Sequence, residues 1–293
     1  MSDRLLYFWE TVLAALVVIL FFSLIIWGPS LIRVLETPAT GNFPAAVVVT
    51  DPGPEATTTP PVPPKLFHYI EITNGCGPYY DLGPCVNMRS GPGIEHPMVA
   101  RLRTGVVLKV EDATVTGNGI EWYKIIFDGE IRFPERVAGD WYVASDASSV
   151  RPFEDVGDID LTKTTELPTT KHIVVDLSAE MLYAYDGDTL FMQEPISTGL
   201  DSTPTPNGSF RVFRKTPSRY MQGPIPGVSL QYYDLPGVPW NLYFTSDGAV
   251  IHGAYWHDHF GKPWSHGCVN LPPQKARELY EWADIGTPVK VQN

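Results

Sequence analysis

From about residue 66 onward, the sequence consists largely of short apolar runs that glycine and proline interrupt every few residues. Such runs, bounded by turn residues, are typical of β-strands rather than of long helices. We therefore predict a mainly β fold. In residues 66–147 the candidate strands are short enough for a small barrel, and they are Val86–Arg89, Val106–Val110, Trp122–Ile125 and Trp141–Ala144.

The C-terminal part, residues 171–293, has the same character, with one exception. Its expected strands are His172–Leu177, Met181–Tyr185, Thr189–Glu194, Trp240–Thr245, Ala249–His252 and Thr287–Val291. The exception is one amphipathic helix after Pro272, predicted from four residues at helical spacing: Ala276, Leu279, Tyr280 and Ala283. Between Lys215 and Pro239 the sequence is irregular, and a long segment without its own pattern is often a functional lid.

The N-terminal residues 1–35 contain an almost unbroken apolar run, Thr11 to Trp27. With its apolar flank the run reaches the roughly 20 residues that a bilayer-spanning helix needs. A cleaved signal peptide is the alternative, but Pro29 and Leu31 stand where a small-residue cleavage site is expected, so we favour an uncleaved anchor. Residues 36–65 are rich in proline and threonine and predict an extended linker. The acidic residues 148–170 are expected to form a second connector.

The net charge of −12 bears on the possible partners. Binding to nucleic acid requires a basic face that neutralises phosphates, so this charge argues against a nucleic-acid partner. Beyond that, it indicates no more than solubility. At 293 residues, the chain can hold two modest domains plus extensions, in agreement with the division above.

The residues suited to covalent chemistry lie near the C terminus, in Ser265–Asn270. A cysteine is a good nucleophile only as its thiolate, and the ordinary pKa of a thiol leaves little thiolate at neutral pH. His252 precedes Cys268 by sixteen residues and could supply the base. Gly267 allows the backbone to turn sharply beside the sulfur, where backbone amides could hold an oxyanion.

Two alternatives to a nucleophilic cysteine stay open. Cys268 could be a buried core thiol, although Ser265, His266 and Gly267 would make a poor core strand. A metal site is the second alternative, with the donors His252, His257, His259, His266 and Cys268. Because no pair has the spacing of a known zinc ligand set, we predict neither a metal nor a cofactor.

The motif resembles the signature of the L,D-transpeptidases, the YkuD-type cysteine enzymes of bacterial cell walls. In that family a His-Gly pair is followed by a loop of about this length and then by Ser/Thr-His-Gly-Cys. The Thr-Gly at Thr198–Gly199 and the segment Thr205–Phe210 are similar to further family sequences. Residues 66–147 in turn resemble bacterial SH3 domains through Asn87–Pro92, Trp122–Lys124 and the strand that begins at Trp141.

The first resemblance implies an enzyme that forms 3→3 cross-links between the stem peptides of peptidoglycan. Cys268 would be the nucleophile that carries a thioester, and His252 would be its general base. Gly253 would orient His252 through its backbone carbonyl. The loop residues would have smaller roles: His266 would bind substrate in the cleft or tune the thiolate, Ser265 would support His266, and Gly267 would belong to the oxyanion region.

The resemblance also implies that the Lys215–Pro239 segment caps the substrate cleft, with Tyr232 and Tyr233 as weaker candidates for lining it. Asn270 is a further weak candidate, because many family members have arginine at that position. A carbapenem is the expected covalent inhibitor. The catalytic domain would then lie on the extracytoplasmic side of the cell membrane, held there by the single-pass anchor.

Three other functions remain possible. Attack by water on the same thioester would make the protein an L,D-carboxypeptidase. A metal hydrolase would use the histidine cluster, and chelators would inhibit it. A non-catalytic wall-binding protein would use the SH3-like domain as its working part and would tolerate the loss of Cys268.

The chain has three cysteines, which divide into one local pair and one remaining thiol. A disulfide between Cys76 and Cys85 would close a short loop and would fit an oxidising compartment. Two free thiols in the cytosol are the alternative, which the expected anchor disfavours. A bridge from Cys76 to Cys268 would disable the nucleophile, so we do not expect it.

Overall fold

The computed structural model describes residues 64–127, 129, 131–160 and 169–293. Within these ranges the chain forms seventeen β-strands, one α-helix and a short 3-10 helix at Pro134–Arg136, so the predicted mainly β class is confirmed. The anchor expected over residues 1–35 and nearly all of the linker over 36–65 lie outside the described residues. Among the residues that are described, no helix is long and apolar enough to cross a bilayer.

The first part of the chain forms one antiparallel sheet of seven strands in the order β3-β2-β6-β5-β4-β1-β7. These strands are β1 Phe67–Ile72, β2 Val86–Arg89, β3 Met98–Leu102, β4 Val107–Gly117, β5 Ile120–Ile126, β6 Tyr142–Ala144 and β7 Val150–Asp155. Apolar side chains from several strands, among them Ile70, Met88, Leu108 and Val143, form its buried core. The last strand, β7, falls inside the segment 148–170 that was expected to be a connector.

The second part contains two five-stranded sheets and the single α-helix of the described chain. Its elements are β8 Ile159–Asp160, β9 Lys171–Asp176, β10 Met181–Asp186, β11 Thr189–Pro195, β12 Gly208–Arg211, β13 Arg214–Ile225, β14 Ser229–Tyr243, β15 Val250–Gly253, β16 Val269–Leu271, α1 Pro273–Trp282 and β17 Pro288–Gln292. One sheet has the order β11-β10-β9-β17-β12 and the other β16-β15-β14-β13-β8. As the periodicity predicts, α1 buries Ala276, Leu279 and Tyr280 against this core.

The segment between Lys215 and Pro239 is not irregular, which corrects the expectation from sequence. It forms most of the long antiparallel hairpin of β13 and β14, whose register shifts between Arg219 and Met221 and again between Gly223 and Ile225. The two strands contain prolines, glycines and buried polar residues, so polar and apolar residues do not simply alternate along them. The two-residue period that identifies a half-exposed strand is therefore not visible in the sequence.

The base of this hairpin packs against the seven-stranded sheet. Tyr220 of β13 and Val238 of β14 belong to the buried core of that sheet, and Ser218 Oγ donates a hydrogen bond of 2.7 Å to the Val107 carbonyl. Gly237 has φ +71°, and a Cβ there would lie 2.6 Å from the Val107 oxygen, so only glycine allows the close approach. The SH3-like part and the part that carries the motif are therefore packed together along β13 and β14.

Candidate active site

Strand pairing brings the two halves of the motif together. His252 lies on β15 and Cys268 immediately precedes β16, and the two strands are parallel, with His252 opposite Asn270 and Ile251 opposite Val269. Extended by one residue, this register sets Cys268 opposite Val250, two residues before His252, and both side chains lie at the floor of a cleft of about 820 Å³. The predicted residues that line the cleft are Tyr233, His252, Ser265, His266, Gly267, Cys268 and Asn270.

His252 is fully buried, and its ring orientation is set by one hydrogen bond. Its Nδ1 lies 3.1 Å from the Gly253 carbonyl oxygen, which can only accept, so Nδ1 carries the proton. Nε2 is then a lone-pair acceptor, and it has no hydrogen-bond partner among the described residues. Burial, with smaller contributions from the charges of Arg219 and His257, lowers the pKa of His252 to about 3, while the bond to Gly253 opposes the shift. The ring is therefore neutral at pH 7.

The Cys268 thiol lies half-buried in the same cleft, with Sγ 3.8 Å from the Gly248 carbonyl oxygen. Burial raises the pKa of this thiol, and the positive charge of Arg219 only partly offsets the effect. At rest, the cleft therefore holds a neutral thiol and a neutral imidazole that are not hydrogen-bonded to each other, since His252 Nε2 has no partner among the described residues. Formation of the thiolate then requires a proton transfer to a base during the reaction, and Nε2 of His252 is available for it.

The side chain of Ser265 holds the turn that presents the sulfur. Its Oγ donates to the Cys268 carbonyl oxygen at 2.5 Å and accepts the Gly267 N–H at 3.1 Å. Gly267 has φ +112°, a conformation that favours glycine. Because the Gly267 N–H is already bonded to Ser265, the Cys268 N–H is the better candidate of the two for an oxyanion donor.

A buried carboxyl group lies behind this turn, and sequence reasoning missed it. The Thr198 carbonyl accepts the N–H groups of Trp264 and Ser265, both at 2.9 Å. The Thr198 N–H and hydroxyl both donate to Glu180, which is 4% exposed. Burial raises the pKa of Glu180, and its bonds to Thr198 oppose that rise. The Thr-Gly segment therefore acts as a support for the cysteine loop, and Gly199 permits the close chain packing there.

The two neighbouring tyrosines of the hairpin differ in their surroundings, which corrects half of the expectation. Tyr233 lines the cleft, and its ring stacks with that of His266 at a centroid distance of 6.3 Å. Tyr232 does not line the cleft: it is 66% exposed and lies under the Arg136 guanidinium. Successive residues of a strand point to opposite faces, so only one of an adjacent pair can face the cleft.

The loop between His252 and Cys268 also contacts the SH3-like part. Cys76 and Cys85 form a disulfide, as the local pairing predicts, with their Cα atoms 4.3 Å apart. Tyr79, within the loop that this bond closes, donates a hydrogen bond of 2.7 Å to Asp258 and lies 3.3 Å from His259 Nε2. Within the ranges that the structure describes, no three His, Cys, Asp or Glu side chains are grouped so that they could hold a metal ion.

A cysteine and a correctly oriented histidine, held by two adjacent strands at the floor of a cleft, define a candidate cysteine acyl-transfer site. Comparison with known families agrees with this class. Residues 170–291 match the family model of the L,D-transpeptidase catalytic domain, YkuD, and residues 86–133 match that of the bacterial SH3 domain. The chain carries an L,D-transpeptidase catalytic domain of the YkuD family beside a bacterial SH3 domain.

Several curated proteins are similar to the chain. L,D-transpeptidase 1 of Mycobacterium tuberculosis is 29% identical over 140 residues, which are 46% of this chain and 56% of that protein. Probable L,D-transpeptidase 3 of the same organism is 35% identical over 102 residues, which are 33% of this chain and 38% of that protein. The chain thus spans about half or less of the length of these curated relatives.

Among solved structures, the catalytic domain of the Enterococcus faecium L,D-transpeptidase, acylated by ertapenem, is 28% identical to this chain. The match covers 43% of this chain and 100% of that one, with a TM-score of 0.38.

Proposed function

We propose that this chain is a peptidoglycan L,D-transpeptidase that forms 3→3 cross-links between stem peptides through a thioester on Cys268. The observation that carries the proposal is the state of His252. Its Nδ1–H is bonded to Gly253, and its unprotonated Nε2, in the cleft that holds the Cys268 sulfur, has no partner among the residues described. A neutral imidazole held in this way is the form that a general base requires.

The first half-reaction follows from this arrangement. As Sγ of Cys268 attacks the carbonyl carbon of the donor peptide, its proton passes to Nε2 of His252. The carbonyl oxygen becomes an oxyanion within reach of the Cys268 N–H, and the Gly253 carbonyl stabilises the imidazolium through Nδ1–H. Collapse of the tetrahedral intermediate breaks the C–N bond. The terminal D-alanine leaves with the proton from Nε2, and the acyl group stays on sulfur as a thioester.

The second half-reaction uses the same residues in reverse order. A side-chain amine of a neighbouring stem peptide attacks the thioester, and His252 takes the proton that the amine loses. The C–S bond then breaks, the sulfur recovers its proton from Nε2, and the two stems are joined by a new amide bond. Water in place of the amine would give the L,D-carboxypeptidase reaction, so the partition between the two products depends on which acceptor occupies the cleft.

The hairpin of β13 and β14 forms one wall of the cleft, and we assign it the role of a lid over the donor peptide. Tyr233 and His266 stack at this wall, where they can contact a bound peptide. We further propose that the chain is anchored in the cell membrane by residues 1–35, with the catalytic domain on the extracytoplasmic side. The disulfide between Cys76 and Cys85 is consistent with that oxidising compartment.

The test uses the purified full chain with a disaccharide-tetrapeptide as both donor and acceptor. Mass spectrometry of the products should show dimers with a 3→3 linkage, and Cys268→Ala should yield none while keeping the circular dichroism of the unmodified protein. Activity should persist in the presence of a chelator. Loss of activity with chelator would favour a metal hydrolase. Release of D-alanine without dimers would identify a carboxypeptidase, and wall binding without either product would identify a binding protein.

A further inference from the structure

Arg219 of β13 is a cation without an acidic partner in the cleft that holds the nucleophile. Its Nη1 is buried and makes no hydrogen bond to any residue that the structure describes, and no ion pair there involves it. A buried donor without a partner is costly and calls for an explanation, and in a substrate cleft a ligand can supply the missing acceptor.

Three other arginines of the described chain are paired with carboxylates. Arg214, on the same strand, donates to both carboxylate oxygens of Asp158, at 2.7 and 2.9 Å. Arg151 and Arg277 both pair with Glu71. Arg89, Arg103 and Arg136 instead donate to backbone carbonyl oxygens, so each of these six guanidinium groups has an acceptor, whereas the buried Nη1 of Arg219 has none among the described residues.

The charge of the cleft is opposite to that of the whole chain. The chain carries a net charge of −12, yet the described residues that line the cleft include Arg132 and Arg219 and only one acidic residue, Asp247. Asp247 is exposed, and so is Arg132, which lies on the SH3-like part. Arg219 is the more buried of the two cations, and its charge acts on His252 and Cys268 at the reacting centre.

Asn270 contributes a second donor to the same cleft. Its side-chain amide lies 2.9 Å from His257 Nε2, and His257 Nδ1 accepts the His259 N–H at 3.2 Å. Burial lowers the pKa of His257 to about 4, so the ring is neutral at pH 7 and has its one proton on Nε2. The atom of Asn270 that faces His257 must then be its carbonyl oxygen, because amide oxygen and nitrogen are assigned from the hydrogen-bond network.

With its oxygen bonded to His257, Asn270 directs its NH2 group to the other side, where the buried terminal atom has no partner among the described residues. The cleft floor therefore presents a guanidinium and an amide NH2, both donors. A carboxylate has only acceptors, and a guanidinium is the side chain that matches it best in geometry and charge.

We propose that Arg219 binds a carboxylate of the donor stem peptide, with the Asn270 NH2 group as a neutral donor in the same cleft, and so selects donors that carry that carboxylate. The proposal rests on the transpeptidase function proposed above. Two carboxylates can flank the scissile amide of such a donor: the C-terminal carboxylate of the leaving D-alanine and, where the preceding residue is a diamino diacid, its side-chain carboxylate.

The experiment compares acylation of Cys268 by three donors, namely the free peptide, its C-terminal amide and its side-chain amide. The expected result for Arg219→Gln with the free peptide is a loss of roughly 10- to 100-fold in kcat/KM, mainly through KM, because one charge-assisted hydrogen bond is lost. In the unsubstituted protein, one of the two peptide amides should lower kcat/KM by a similar factor. The carboxylate that is blocked in that amide is the one that Arg219 binds.

The decisive comparison is between the variant and the amide. The peptide amide that lowers kcat/KM in the unsubstituted protein should lower it no further in Arg219→Gln, because the interaction with the carboxylate is already absent in this variant. Arg219→Lys should recover part of the lost kcat/KM. The matched control is Lys262→Gln, which removes an equal charge from an exposed residue outside the cleft lining and should change kcat/KM by less than about 3-fold, as expected for an exposed charge.

Three results would overturn the proposal: an unchanged KM in Arg219→Gln, independent losses of kcat/KM from the variant and from the amide that multiply when both are present, or an equal loss in Lys262→Gln. Titration of the same peptides into Cys268→Ala, followed by calorimetry, needs no turnover. If the active protein forms no thioester but this variant binds the free peptide in an Arg219-dependent way, the transpeptidase function fails and the carboxylate site stands. If thioester forms with all three donors at equal rates, the function stands and the carboxylate site fails.

Discussion

The pH dependence of acylation tests the state of His252 in detail. Its pKa is lowered from the ordinary 6.5 to about 3, chiefly because the ring is buried. With an ordinary pKa, only about 3% of the rings would be unprotonated at pH 5, and a rate that depends on the free base would fall about 25-fold between pH 7 and pH 5. With a pKa of about 3, about 99% of the rings stay unprotonated at pH 5 and the rate is unchanged.

The assay is single-turnover acylation of Cys268 by a carbapenem between pH 5 and 8, followed by the loss of the β-lactam absorbance. A small-molecule thiol under the same conditions is the control, because its rate should fall about tenfold per pH unit with its thiolate fraction. The protein should instead show a plateau, since the proton passes directly from Sγ to Nε2. The alkaline limit should lie above the ordinary thiol pKa, because burial raises the pKa of Cys268.

The fold must be checked at each pH, because the same shift affects stability. The unfolded chain binds a proton at His252 below pH 6.5 and the folded chain does not, so the free energy of unfolding decreases as the pH falls from 6.5 towards 3. Circular dichroism at each pH separates unfolding from loss of the base. A break in the rate near pH 6.5, in protein that is still folded, would refute the assignment of a buried neutral base.

Three further predictions concern the loop and the cysteines. Ser265→Ala should lower the acylation rate roughly 10-fold, because it removes the two hydrogen bonds that hold the turn. The free energy of unfolding should fall by about 1 kcal/mol per lost bond, and the melting temperature should decrease accordingly. Gly199→Ala should destabilise the protein by roughly 1–3 kcal/mol in a denaturant titration, because its Cβ would lie 2.2 Å from the Thr203 oxygen; an unchanged midpoint would contradict this. Iodoacetamide should label Cys268 alone in the native protein and the other two cysteines only after reduction, whereas equal labelling of all three would contradict the disulfide.

Local patterns were sufficient for most elements of the fold. The helix α1 could be predicted because four small or apolar residues recur at one face, and the meander of β9, β10 and β11 because turn residues separate its runs. The β13–β14 hairpin could not, because its base is buried on the SH3-like part and contains polar residues that bond to that part, such as Ser218. The order of polar and apolar residues in the hairpin therefore depends on contacts with a sheet that is distant in sequence.

The candidate site was predictable only where a short motif carries it. Cys268 and His252 stand in such a motif, and parallel pairing of their strands brings both to one cleft. Arg219 and Glu180 were missed because a single charged residue in a strand or a turn has the same appearance whether it is solvated or buried. Their importance follows from three-dimensional surroundings: the missing partner of Arg219 and the bonds from Glu180 to Thr198. Tyr232 was expected to line the cleft because the sequence of an irregular segment does not show which residues of a strand share a face.

The most direct test of the central claim is the intact mass of the protein during turnover with a stem tetrapeptide donor and no amine acceptor. The account predicts one adduct, with the mass of the donor less D-alanine, and peptide mapping should place it on Cys268 as a hydroxylamine-sensitive thioester. Addition of an acceptor stem should discharge the adduct with formation of a 3→3 dimer. Dimer formation without any adduct, or an adduct that persists in Cys268→Ala, would contradict a mechanism through a thioester at this cysteine.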